Sequence, residues 1–521
     1  MNFKKIKNML TIGLIVASMT VLVGCGQKDS TNSNNNENNT IVFAIPSDPD
    51  TINPAFTNVR EATAVSNIMY SPLYTYKKGE ITYYLADNID FNNNKELIIT
   101  LKKDLKWHDG QPITSDDIVF TINTILDEKQ NSSQRETLLI EGQPVAAEKI
   151  DNLTTKVTLP VPSSSFLYSM SKLTPIPKHI YEGEDSIAKS EKNNEPIGSG
   201  PFKFKEWKKG EKIIFEKYND YFNGSPKANK IAVKIIPNEA SQEAALNNGE
   251  ITFMKGSVEL FDKAKNNKNF QTYTYSEDRL NYMVFNQNKD YMKNDKFRKA
   301  ISYALDRKEM IKSAYGSTDS QEAKSILVPG ADFYAEENVE GYDHNIDTAK
   351  KLLAESGVNI DKLKIAYNTG RFAHKNYALV AQQQLKDIGI DAEVVPYESK
   401  AFFKVLFSDN TDNDILVNGY AWGLEPNPYR GMYQTGRFHN QTNYSNEVVD
   451  SLWEKGAEEL DTEKRKNIYI KLQQLISQDA PVYTIDYEQN LMIANKNLKG
   501  IDDAKPISAN MFEDWSKLYI E

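Results

Sequence analysis

The sequence predicts an α/β fold. Three observations carry that expectation. Strand-like runs alternate with amphipathic helical stretches, the pattern of helices packed on a sheet. The chain has 521 residues, which suggests two or three domains with ample core. It holds a single cysteine, Cys25, so no intramolecular disulfide can form and the core alone must hold the fold.

Taken in order, "IVFAI" at 41–45 is the first strand and "ELIITL" at 96–101 a short β-branched one. Asp109-Gly110 signals a turn. Thr114 and Asp117 have the spacing of a capping box before a helix over "DIVFTINTIL", 117–126. "PFKFKEW" and "KIIFEKY" flank Lys-Lys-Gly and predict a hairpin over 201–218. "IAVKII" at 231–236 is a strand, and "NEASQEAALNNGE" after it a helix closed near Gly249. Amphipathic helices follow at 347–356, 374–389 and 462–478. Each precedes a strand-like segment: "KLKIAYN", "DAEVVPY" or "PVYTIDY".

The N-terminal residues read as an export signal. Lys4, Lys5 and Lys7 precede the apolar run 9–23, which is 15 residues long and too short to span a bilayer. Small Gly24 then precedes Cys25. The order "LVGC" resembles the bacterial lipoprotein signal, which implies cleavage before Cys25 and lipidation of its thiol. Residues 25–40 are polar and Asn-rich, a tether rather than a folded segment. Removing the three leader lysines takes the formal charge from −10 to −13, which argues against non-specific nucleic-acid binding. No later apolar run is long enough to span a bilayer.

Three long blocks carry a resemblance: "LADNIDFNNNKELIITLKKDLKWHDGQPITSDDIVFTINTI" (85–125), "PIGSGPFKFKEWKKGEKIIFEKYNDYFNGSPKANKIAVKII" (196–236) and "NYMVFNQNKDYMKNDKFRKAISYALDRKEMI" (281–311). The chain resembles the extracellular solute-binding proteins of peptide and nickel ABC importers. That resemblance implies a large two-lobed fold of the type II periplasmic-binding-protein kind, with an extra subdomain and a ligand enclosed at the hinge. Carried onto this chain, lobe one is 41–80, 195–279 and 488–521, the extra subdomain 81–194, and lobe two 280–487. The implied protein is an outward-facing, lipid-anchored monomer without a cofactor. It delivers oligopeptides to a membrane permease.

The resemblance also points to site residues. In "NDILVNGYAWGLEPNPYR" (413–430), Gly419-Tyr420 stands at the family's Gly-Trp position. Glu425 is the nearest following acid, and with Asn427 it replaces two aspartates of a longer-loop subset. Glu425 is therefore expected to anchor a peptide ammonium, since a carboxylate makes short charge-assisted bonds to an enclosed cation. Tyr420 and Trp422 are candidate cleft walls, with core as their ordinary alternative. "YNTGRFAHKN" (367–376) makes Arg371 and His374 candidates for the peptide carboxylate. Val417 replaces an arginine of some peptide binders, so their fixed ligand length does not transfer. "AIPSDPDTINPAF" (44–56) resembles a cleft-facing loop, although Asp48 and Asp50 read first as turn residues.

Two other classes have less support in the sequence. An enzyme is disfavoured: "SMSK" (169–172) fits Ser-x-x-Lys but has no Lys-Thr-Gly partner, and other hydrolase and phosphate-loop motifs are absent. A metal chelate, bound through His374 or His439 of the five scattered histidines, is the alternative on the same fold.

Overall fold

The computed structural model describes residues 39–521 except 58, 317–319, 361 and 509. The expected signal, Cys25 and nearly all of the tether lie outside the described residues.

Eleven strands form one mixed sheet. Its order is Phe202–Lys208, Lys212–Lys217, Lys230–Ile235, Thr40–Ile45, Phe253–Lys255, Val482–Asn495, Phe270–Phe285, Ile415–Tyr420, Leu363–Asn368 and Ala392–Tyr397. Gln321–Glu322 pairs onto Val482–Asn495 off this path. Alternation explains the first of these strands in sequence: Ile41, Phe43 and Ile45 are buried, while the residues between them are partly open. Thr40–Ile45 pairs in parallel with Lys230–Ile235. The expected hairpin pairs Phe202 with Lys217, and Gly210 at its turn has φ +76°, the left-handed region that favours glycine.

The two central strands organise everything else. Phe270–Phe285 has 16 residues and Val482–Asn495 has 14. They pair antiparallel from Phe270↔Asn495 to Val284↔Val482. The register shifts between Ser276 and Arg279, a local irregularity that twists a strand and re-aims its side chains. On one side of that break, Phe253–Lys255 joins through Met492–Ala494. On the other, Ile415–Tyr420 joins through Leu280–Phe285. The sheet thus has two halves that share two strands.

Each half has its own core. Phe43, Phe202, Phe215, Ile231, Val233 and Trp515 pack together in the first half. The second half is covered on both faces, by Phe297, Ile301 and Tyr377 among others in one cluster and by Tyr282, Tyr429 and Trp453 in another. A separate antiparallel sheet runs Ala86–Asn92, Glu96–Leu101, Thr154–Thr158, Ala146–Lys149. It packs with the helix Ser115–Leu126 around Trp107, Ile118 and Ile122. That helix carries the expected capping box: the Thr114 amide donates to the Asp117 carboxylate at 2.9 Å.

The two ends of the described chain meet in the first half. Phe43 stacks on Trp515 at 5.3 Å between ring centres. The Ile520 amide donates to the Asn39 side chain at 2.8 Å.

Candidate ligand cleft

The register break puts a charged sequence, Glu277-Asp278-Arg279, at the junction of the two halves. Glu277 is buried and pairs with Arg60, accepts from Asn490, and lies 3.8 Å from Lys255. Arg60 opens the helix Arg60–Met69 and Lys255 ends the strand Phe253–Lys255, both in the first half. On the other side, Arg279 donates to the Gly419 carbonyl at 2.6 Å and lies 3.3 Å from Glu488. Arg371 reaches the same Glu488 at 3.7 Å, and Asn281 donates to it at 3.3 Å. Four cations and two gripped carboxylates therefore line the junction, with Glu61 beside them. Arg60, Glu61 and Lys255 also line a cavity of about 130 Å³ together with Phe253 and Met511. Burial, and then Arg60, push the Lys255 amine down to about 8. The Arg60 guanidinium is lowered too, first by burial and then by repulsion from Arg371.

The expected site residues fall in three groups. Arg371 and Gly419 belong to the junction. Arg371 is the N-terminal flanking residue of the helix Phe372–Lys386, and its side chain is 46% exposed. Gly419 is dictated by contact, because a Cβ there would meet the Asn281 and Arg279 side chains below 3.0 Å. His374 is adjacent but 2% exposed, with Nε2 3.4 Å from the Asn281 oxygen and Nδ1 unpartnered. Burial, then Arg279 and Arg371, push it down to about 3. It is a neutral imidazole, not a cation.

Glu425 and Asn427 form a second group. Glu425 is 2% exposed, and Arg465 binds it through both guanidinium nitrogens, the longer contact being 3.4 Å. It also accepts from the Asn427 amide at 3.1 Å. The carboxylate expected to meet a ligand ammonium already has an internal cation. Asn427 has a buried side-chain oxygen without a partner.

Tyr420 and Trp422 form the third. Tyr420 is core, its hydroxyl donating to the Ile326 carbonyl at 2.7 Å. Trp422 is half-buried, edge-on to His439 at 5.0 Å. His439 otherwise meets Phe407 and Phe438, so it sits in an aromatic cluster. Val417 is fully buried. Asp48 accepts from Trp207 at 2.8 Å and from the Gly210 amide at 2.6 Å, which fixes the hairpin turn. Asp50 accepts from the amide of the next residue, Thr51, at 2.9 Å, a local contact. No cluster of three metal-ligating side chains occurs among the described residues.

Residues 80–443 match the family model of bacterial extracellular solute-binding proteins, family 5 Middle. The chain belongs to that family. Two crystal structures are close in fold. AppA of Clostridium difficile, designated a peptide-binding protein, is 64% identical with a TM-score of 0.87, over 92% of this chain and 100% of that one. The ABC transporter substrate-binding protein CtaP of Listeria monocytogenes is 38% identical with a TM-score of 0.89, over 93% and 99%. The oligopeptide-binding protein AppA of Bacillus subtilis is 28% identical over 87% of each chain.

Family 5 membership settles three expectations. The fold is that of the type II periplasmic binding proteins. The protein is a solute-binding transport protein and not an enzyme. It belongs with the extracellular solute-binding proteins, and no described helix is long and apolar enough to cross a membrane. Five junction residues were not anticipated from the sequence: Arg60, Lys255, Glu277, Arg279 and Glu488. They come from four separate stretches of the chain, and the pairing of the two central strands brings these together. The run of charge inside "YSEDRLNY" was the available signal, an odd insertion in a stretch otherwise suited to a strand.

Proposed function

We propose that this protein captures oligopeptides between its two halves by hinge closure and passes them to the permease of an ABC importer. The carrying observation is the junction. Two continuous strands cross it, and cations from both halves converge on it. A ligand touching both halves stabilises the closed form by its differential contacts. A peptide suits such a site because its backbone offers hydrogen-bond groups and its end a carboxylate for guanidinium donors. The identity to relatives named for peptide binding supports the same reading. Cys25 is its lipid anchor.

Native mass spectrometry of the soluble body, residues 26–521, tests the ligand. Release of a mixed set of short peptides is the expected result, whereas a metal or metal chelate in their place rejects the reading. For the anchor, Cys25→Ser is expected to move the protein out of the membrane fraction with peptide affinity intact. A mutant still fully membrane-bound would refute lipidation at Cys25.

A further inference from the structure

The first half carries a cavity of about 130 Å³ at the edge of the junction. It lies where the strands Thr40–Ile45 and Phe253–Lys255 end beside the helix Arg60–Met69. Its floor is apolar and buried: Phe43, Ile45, Ala64 and Phe253 are at most 3% exposed. Phe43 and Phe253 stack there, 5.4 Å between ring centres and 22° between planes. Met511 adds a wall from the paired strands Pro506–Ile507 and Met511–Phe512. The Asn67 side chain ties that wall to the helix by donating to the Phe512 carbonyl at 2.8 Å. The rim is charged and open. Arg60 and Lys255 stand on it with side chains 40% and 32% exposed, together with Glu61.

Size and chemistry narrow the occupant. An apolar cavity of about 150 Å³ takes a benzene ring, and this one is close to that size. Its mouth adjoins the junction, because Arg60 and Lys255 also reach Glu277 there. The floor rings offer stacked and edge contacts to another ring, and the Met511 thioether a polarizable one. Rim cations are attracted to the face of an aromatic ring and gain nothing comparable from an alkyl chain. A charged side chain is disfavoured, since its head would lie on an apolar floor without a partner. Every one of these residues belongs to the first half, so the pocket is complete before closure. A side chain in it makes the same contacts in the open and closed forms. It therefore selects the ligand without driving the hinge.

We infer that this pocket receives one aromatic side chain of the captured peptide, phenylalanine before tyrosine, whose hydroxyl would end on the apolar floor. This rests on the peptide reading for its ligand. The pocket chooses which peptide is held, and the junction closes on it.

A peptide pool of random sequence, from dipeptides to nonapeptides, provides the test. Retained peptides are sequenced by mass spectrometry, and the best binder is followed by calorimetry on the parent, Ala64→Leu, which fills the cavity, and Met511→Ala, which enlarges it. Phenylalanine is expected to be enriched at one ligand position. Replacing it by alanine in the ligand should cost the parent about tenfold or more in affinity, and Ala64→Leu less than about threefold. Met511→Ala should shift the preference toward tryptophan, and it carries the test alone if Ala64→Leu does not fold. A retained pool without aromatic enrichment would overturn the pocket, as would equal alanine penalties in the parent and both variants. Equal affinity for a cyclohexylalanine peptide would overturn the aromatic assignment. If no peptide is retained, N-acetylphenylalaninamide and N-acetylalaninamide separate the two ideas. Thermal stabilisation by the first alone, in the parent but not in Ala64→Leu, keeps the pocket and rejects the peptide. No stabilisation by either rejects both.

Discussion

At Glu425 the carboxylate lies 2% exposed against Arg465, itself 5% exposed. Burial alone would lower the Arg465 pKa, but Glu425 and Tyr469 outweigh it and hold it above its ordinary value. Removing one partner leaves the other charge inside the fold without compensation. Glu425→Ala should therefore destabilise the protein by about 3–5 kcal/mol, read as a lower urea midpoint. A stability within about 0.5 kcal/mol of the parent would show that the pair is not a structural contact. The residue type at 425 was legible in the sequence, because an acid stands where the family resemblance calls for one. Its partner was not, since Arg465 lies 40 residues away on the helix Thr462–Asp479. His374 has the same history. Its position was predicted, but its neutrality follows from burial beside two arginines.

Among elements, those with local signals were the readable ones. The helix over 117–126 starts at Ser115 because Thr114 and Asp117 close a capping box. Thr114→Ala should cost about 1 kcal/mol by losing that cap, measured as a shift in the denaturant midpoint at unchanged slope. No shift would mean that the Asp117 carboxylate, which also accepts from the Lys178 amide at 2.9 Å, fixes the helix start alone. The helices Ile346–Ser356 and Thr462–Asp479 likewise begin at Asn345 and Asp461, whose side chains accept from the first turn. The long central strands were the opposite case. Phe270–Phe285 contains Ser276-Glu277-Asp278-Arg279, which has no alternation of apolar and polar residues. It remains extended because Val482–Asn495 supplies a partner on both sides of the break. Pairing between residues so distant in sequence leaves no mark in either strand's own pattern.

For the whole molecule, the proposed closure would involve more than the junction. The four-stranded-sheet unit touches the second half through Tyr168, whose hydroxyl accepts from the Leu424 amide at 2.9 Å. Nearby, the Asp332 amide donates to the Leu424 carbonyl at 2.8 Å, and the Asp332 carboxylate accepts from the amide of Lys78, in the turn of the hairpin Tyr74–Tyr83. Burial, then repulsion from Glu425, push Asp332 up to about 6, against the lowering effects of Arg465 and Lys78. Tyr76 of the same hairpin also senses Asp332. In the proposed opening, withdrawal of the Lys78 hairpin would expose Asp332 to water and return it toward an ordinary carboxylate. A group whose pKa is raised in the closed form favours that form at low pH and loses this contribution as pH rises through 6. Ligand affinity should therefore rise by about tenfold from pH 7.5 to pH 5, and Asp332→Asn should flatten that slope. A slope unchanged in Asp332→Asn would assign the effect to another group.

The stacking of Phe43 on Trp515 and the bond from Ile520 to Asn39 carry a consequence for biogenesis. The strand Thr40–Ile45 cannot complete its core and end contacts until residues up to 481 positions later have been made. The same holds for Val482–Asn495, without which Phe253–Lys255 lacks a neighbour on one side. Contacts of such long sequence separation form late and slowly. Until its last strand arrives the chain is then an incomplete fold, open to proteases and, if it is exported as the sequence suggests, still able to thread through a membrane channel.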